Sequence, residues 1–188
     1  MALTITPFAD IGRDCPDFEL PSVDGKVFSK KDFLNERPFV VFFICNHCPY
    51  VKAIEDRLIQ LGHDLKALGI NTVAICSNDE ENDPEDRFEN LRKRWQDKNY
   101  PFPYLHDKSQ EVAKSFGAIC TPDFFVYDKN LKLAYRGRLD DSWKDPSKVT
   151  RRELFEAVLC LDRDESLNGQ QTPSMGCSIK WVGKVGVG

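Results

Sequence analysis

The chain has no excess of positive charge: 26 Lys and Arg face 30 Asp and Glu, leaving a net charge of −4. Nothing in that balance attracts nucleic acid or anionic lipid, so neither a nucleic-acid nor a membrane partner is expected. It also lacks a long apolar run. The longest, Phe39 to Cys45, is seven residues, far short of the ~20 that a membrane helix needs. The opening MALTITPFADIGRD has neither the basic segment nor the apolar stretch of a signal peptide. Histidine is scarce, with three in 188 residues, so each one has to be placed. Cysteine is not scarce. There are seven, an odd number in a chain too long for a small disulfide scaffold. A chain of this size buries roughly 70% of its unfolded surface and needs no staples. Free thiols in a reducing compartment, and hence a soluble cytoplasmic protein, are the expectation.

Hydrophobic periodicity predicts the elements. DFELPSVDGKVF reads as two short strands around Asp24-Gly25. PFVVFFIC is a continuous β-rich run suited to a central strand covered on both faces. Apolar residues at 51, 54, 58, 61, 65 and 68 then mark an amphipathic helix that Gly69 ends. INTVAICS is a second buried strand, which completes a right-handed parallel unit. In NDEENDPEDRFENLRKRWQDK, Pro84 predicts the first position of a helix whose acidic start is solvated. A calcium loop fails there on spacing and for want of glycine. SQEVAKSFGA is a short helix closed by Gly117. DFFVYD and LKLAYRGR form a hairpin about Lys129-Asn130, and TRRELFEAVLCL is a helix capped by Thr150 with Glu153 completing a capping box. The glycines of the final VGKVGVG lack the flanking strand and helix of a dinucleotide loop, and this segment is expected to form no element.

The chemistry gathers in residues 38–58, PFVVFFICNHCPYVKAIEDRL. A C-x-x-C pair where a buried strand meets a helix has the setting of a redox centre, because the helix start stabilises a thiolate. His47 between the cysteines adds a titratable cation that tunes them. A metal site from Cys45, His47 and Cys48 would need a fourth ligand, Cys120 or Cys177; plain packing is the third reading. Pro49 is most comfortable at the first helical position, which makes Cys48 the cap. A helix begun at Cys45 would lose a hydrogen bond and cost up to ~3 kcal/mol.

FICNHCPYVKAI, AICTPDFFVYD, YRGRLDDS and GCSIKW together resemble thioredoxin-like proteins of the redoxin, or AhpC/TSA, branch usually grouped with the peroxiredoxins. The similarity runs from about Cys15 to Trp181. It implies an α/β thioredoxin fold: a central mixed β-sheet with helices on both faces, an N-terminal β-hairpin extension and a C-terminal tail. Residues 1–162 are expected to form the domain and 163–188 a tail partly packed on it. It further implies that Thr121-Pro122 is a cis-proline wall facing the pair, with Cys120 beside it at the substrate. The cis form is cheap for such a bond.

Two family patterns compete over the attacking sulfur. In thioredoxin-type exchange Cys45 attacks and Cys48 resolves. In the peroxiredoxin pattern the reactive cysteine precedes proline, as Cys48 does, but Cys45 stands where that pattern has threonine. The peroxiredoxin arginine is also missing, since the matching region reads Thr121-Pro122; Arg136 and Arg138 are substitutes that the sequence does not place. The strand Phe39 to Ile44 lacks the buried carboxylate of thioredoxins, so His47 or water must take the proton. The resulting expectation is a thiol–disulfide oxidoreductase without cofactor or metal, with Cys45 attacking. Its partners are a protein or small-molecule disulfide and a reducing thiol system. The alternatives are a thiol peroxidase, with Cys48 attacking peroxide and Cys45 or Cys177 resolving, and a non-enzymatic metal-binding or redox-sensor protein. Cys76 and Cys160 are expected in the core, His63 and His106 as surface or satisfied residues, and Arg136, Arg138, Asp140 and Asp141 in an ion-paired loop.

Overall fold

The structure, a computed structural model, describes residues 3–183. In chain order the elements are β1 (Leu3–Ile5), β2 (Glu19–Pro21), β3 (Val27–Ser29), β4 (Phe39–Phe43), α1 (Pro49–Ala67), β5 (Asn71–Cys76), α2 (Phe88–Asp97), β6 (Tyr104–His106), α3 (Glu111–Phe116), β7 (Cys120–Thr121), β8 (Asp123–Tyr127), β9 (Leu133–Gly137), α4 (Glu153–Asp162) and β10 (Met175–Ser178). A central sheet runs β6-β5-β4-β8-β9. Its β4, β5 and β6 are parallel, and β8 and β9 return antiparallel.

Alternation along the FVVFF strand organises the packing, because successive side chains leave a strand on opposite faces. Val40 and Phe42 meet the apolar stripe of α1 with Leu154 and Val158 of α4. Phe39, Val41 and Phe43 meet Phe116 of α3 and, from the hairpin side, Phe18 and Phe33. This is the thioredoxin fold that the resemblance implied. Among the described residues no helix is long and apolar enough to cross a membrane.

Helix α1 follows its predicted stripe, with Val51, Ile54, Leu58, Leu61 and Leu65 buried. Leu68 falls just past the end as the C-cap, and Gly69 takes φ +71 to turn the chain. Pro49 occupies the first turn with Cys48 as N-cap.

Two helix starts differ from prediction. Pro84 opens a short 3-10 turn, Pro84–Asp86, and Arg87 is extended before α2 begins at Phe88. Thr150 is not the cap of α4: its N–H and hydroxyl both donate to Asp141, while Glu153 pairs with Arg138. The charged partners win over a local capping box, and α4 starts at Glu153 with Arg152 as cap.

The tail returns to the domain. Strand β10 lies between β7 and β1 in a peripheral antiparallel sheet, with Cys177 opposite Thr121 on one side and Leu3 on the other. No pattern predicted β1. The expectation for the final glycines falls on residues 184–188, outside the described residues.

Candidate active site

The end of β4, the start of α1 and the β7–β8 junction converge. Strand β4 leads into Cys45, α1 begins just after Cys48, and the Thr121-Pro122 peptide opposite them is cis. The Thr121 hydroxyl lies 3.2 Å from Cys45 Sγ, and the Thr121 carbonyl accepts from the Cys48 thiol at 3.0 Å. Strand β10 covers this wall. A Cβ at Gly176 would overlap the Thr121 carbonyl oxygen, so only glycine lets β10 approach so closely. Gly176→Ala is therefore expected to lift β10 and destabilise the fold by about 1–3 kcal/mol, the usual overpacking range, in denaturant titration. The sulfurs are enclosed: Cys45 is 1% exposed, Cys48 0% and Cys177 1%.

The two thiols of the pair are pushed apart electrostatically. A hydrogen bond from the Cys45 thiol pulls Cys48 down to about 4 against its burial. The Thr121 side chain and the backbone N–H groups of Val51 and Cys177 act in the same direction. In the protonated form the Thr121 carbonyl holds the Cys48 proton, but one acceptor stands against four donors and the helix dipole. Cys45 moves the other way, raised by burial, by its bond to Cys48 and by the charge of Asp86. The order is the reverse of that expected from the thioredoxin pattern, in which Cys45 is the attacking thiolate.

His47 is held by a carboxylate that sequence reasoning missed. Asp86, fully buried, accepts from the Asn46 N–H at 2.7 Å, the Asn78 amide at 2.8 Å and His47 Nδ1 at 2.6 Å. Burial opposes charge on both members. The contact nevertheless raises His47 and lowers Asp86, favouring the charged form of each. His47 Nε2 is buried without a hydrogen bond, 3.8 Å from Asp83. The acidic run containing Asp86 was predicted to be solvated, and nothing local marks Asp86 among its neighbours. Donor atoms of Cys45, His47 and Asp86 lie within 4.8 Å of one another, a set able to take a cation but one ligand short of a closed zinc site.

Thus Cys45, His47, Cys48, Thr121, Pro122 and Cys177 come together. Cys120 adjoins them in β7, but its thiol turns to the Pro122 carbonyl at 3.6 Å and is held protonated by burial and by Asp123. Arg136 is bound by Asp123 at 2.7 Å and by the Gly117 carbonyl at 2.8 Å, and Arg138 by Glu153. Cys76 is in the core as expected. Cys160 is not: it is half-buried, its thiol donating to the Glu165 and Ser166 carbonyls. Cys15 is buried and pushed up to about 12 by desolvation. His63 is exposed, whereas His106 is buried and its Nε2 is unsatisfied rather than satisfied. Beside Pro122 an apolar cleft of about 80 Å³ is lined by Tyr50, Ile54, Phe124, Trp143 and Pro173.

The AhpC/TSA family matches residues 11–136. Among curated proteins the chain is similar to the thiol-disulfide oxidoreductase ResA of Bacillus thuringiensis subsp. konkukian. They are 26% identical over 130 residues, 66% of this chain and 67% of that one. Among solved structures it is similar to a conserved protein of Geobacillus kaustophilus, described as uncharacterized. The TM-score is 0.93 and the identity 41%, over 98% of this chain and 99% of that one. A secreted Mycobacterium tuberculosis disulfide oxidoreductase homologous to DsbE of Escherichia coli shares the fold, with TM-score 0.59 and 18% identity over 77% of this chain and 96% of that one. The cytoplasmic expectation, drawn from the thiol count and the want of a signal peptide and long apolar run, is not upheld: the relatives with a stated activity are ResA and a secreted oxidoreductase. That count is a poor guide here because six of the seven cysteines are buried, shielded from whichever redox buffer surrounds the protein.

Proposed function

Because this chain belongs to the AhpC/TSA family, we propose that it is a thiol–disulfide oxidoreductase whose Cys45 and Cys48 cycle between dithiol and disulfide. One observation carries the reading: a thiolate-stabilising set of donors converges on Cys48 at the cap of α1, beside a protonated Cys45. The Cys48 thiolate attacks one sulfur of a partner disulfide and expels the other as thiolate. Cys45 then loses its proton, attacks Cys48 Sγ and releases the second partner thiol. The partner gains two electrons and the pair becomes a disulfide. The carboxylate absent from β4 is replaced from another part of the chain: Asp86 raises the basicity of His47, which lies within reach of the Cys45 sulfur and in its neutral form takes the proton. With both sulfurs enclosed, exchange requires the cover of β10 to move aside.

Stabilising the reduced thiolate makes a disulfide more oxidising. A glutathione redox titration is expected to place the pair above the roughly −270 mV of thioredoxin; a value at or below it would refute this tuning.

A thiol peroxidase is the second reading, favoured by the same thiolate and by the proline after Cys48. The engagement of Arg136 and Arg138 elsewhere counts against it. Single-turnover oxidation by hydrogen peroxide separates the two. A rate like that of an ordinary thiol supports disulfide exchange, whereas a far faster one that vanishes in Cys48→Ser would replace it.

A further inference from the structure

We propose that Cys177 is a second resolving thiol, so that Cys48 passes its intermolecular bond either to Cys45 or to Cys177 on the covering strand. The inference rests on the reading of Cys48 as the attacking sulfur. Its grounds are geometric. Cys177 stands opposite Thr121 in the β10–β7 ladder, and the Thr121 carbonyl lies 3.0 Å from Cys48 Sγ. The Cys177 thiol is hydrogen-bonded to Cys48, and its backbone N–H acts on the same sulfur. Cys48 thus has a thiol partner from each of two elements, Cys45 at the end of β4 and Cys177 in β10. The approach is built in, because Gly176 is the residue that allows β10 to descend onto Thr121.

The step balances without an added reagent. In the mixed disulfide Cys48–S–S–R, the Cys177 sulfur attacks Cys48 Sγ, its proton goes to the departing sulfur, and R–SH leaves. A Cys48–Cys177 disulfide remains, with Cys45 still a thiol. Cys45 can then attack Cys48 and expel Cys177, an exchange that moves the bond with no net oxidation. While the Cys48–Cys177 bond lasts, it ties the start of α1 to β10, and through β10 to β1, so the cover over the pair is covalently closed. The third thiol therefore gives the centre two oxidised forms: Cys45–Cys48, which leaves β10 free to move, and Cys48–Cys177, which locks it.

The test uses the full chain carrying Cys45→Ser, reduced and then mixed with glutathione disulfide. The mixed disulfide at Cys48 is expected to be short-lived, with peptide mapping finding a Cys48–Cys177 bond. In Cys45→Ser/Cys177→Ser the glutathione adduct on Cys48 should persist at least tenfold longer. Adding Gly176→Ala to Cys45→Ser keeps all the remaining thiols but lifts β10, and should lengthen the adduct lifetime severalfold. An adduct lifetime indifferent to both Cys177→Ser and Gly176→Ala overturns the inference. The two failures are distinguishable in the unsubstituted protein. A Cys45–Cys48 bond that forms there while Cys45→Ser stops at the adduct sinks only the role of Cys177. No adduct on Cys48 and no Cys45–Cys48 bond sinks the oxidoreductase reading itself.

Discussion

Cys48→Ser is expected to reduce single-turnover exchange with a small disulfide to background, whereas Cys45→Ser leaves the first attack intact and alters only the resolving step. The asymmetry arises because the donors at the α1 cap serve one sulfur. The pH profile gives the sharper check. A free thiol titrating near 8.5 loses about tenfold in thiolate per pH unit below that value. Cys48, held near 4, stays ionised, so the first step should be nearly flat from pH 8 to 6 and fall only as the pH approaches 4. The same shift has a stability sign. A folded value below the ordinary 9.0 stabilises the reduced protein fully above 9 and not at all below about 4. The stability difference between reduced wild type and Cys48→Ser should therefore grow as pH rises from about 4 to 9. A profile that falls tenfold per unit below pH 8 would return the attack to an unperturbed thiol.

Asp86→Ala is expected to be the most destabilising change at the site, by about 3–5 kcal/mol, the range for breaking a buried ion pair from one side. It leaves the Asn46 N–H, the Asn78 amide and a half-buried His47 without their acceptor. Asp86→Asn keeps the shape but not the charge and should cost less, about 1–3 kcal/mol. The pH dependence comes from the two shifts. Asp86 is lowered, so its contribution is complete above its unfolded value of 3.8 and is lost as pH falls through its folded value. His47 is raised, so its contribution is complete below 6.5 and is lost as pH rises through its folded value. The gap between wild type and Asp86→Asn in denaturant titration should be widest between about pH 4 and 6.5 and narrow on both sides. Equal stability of the two proteins at pH 5.5 would dismiss the pair as a structural element. Functionally, Asp86→Asn should prolong the mixed disulfide at Cys48, since His47, the proton acceptor of Cys45, loses the carboxylate that raises its basicity.

The sequence by itself determined the parts that rest on short-range rules. Continuous apolar, β-rich runs placed β4 and β5, the 3–4 apolar spacing and Gly69 bounded α1, and Pro49 made Cys48 the cap. Each of these is a constraint between residues a few positions apart. The C-x-x-C pair was legible for the same reason, because its setting is the junction of two such elements. The start of α4 was misread because side chains predicted to cap it locally bond elsewhere, Thr150 to Asp141 and Glu153 to Arg138.

Tertiary structure decided the chemistry of the pair. One acidic side chain of the run 79–86 is the partner of His47 because Asp86 is brought under Asn46, 40 positions away in sequence. Cys177 meets Cys48 because Gly176 lets a tail strand lie on Thr121. The order of the two thiol pKa values reverses the thioredoxin-type expectation because desolvation and donor placement belong to the assembled site. Charge and hydrogen-bonding type are properties of a residue, but burial and partnership come only from what the rest of the chain packs around it.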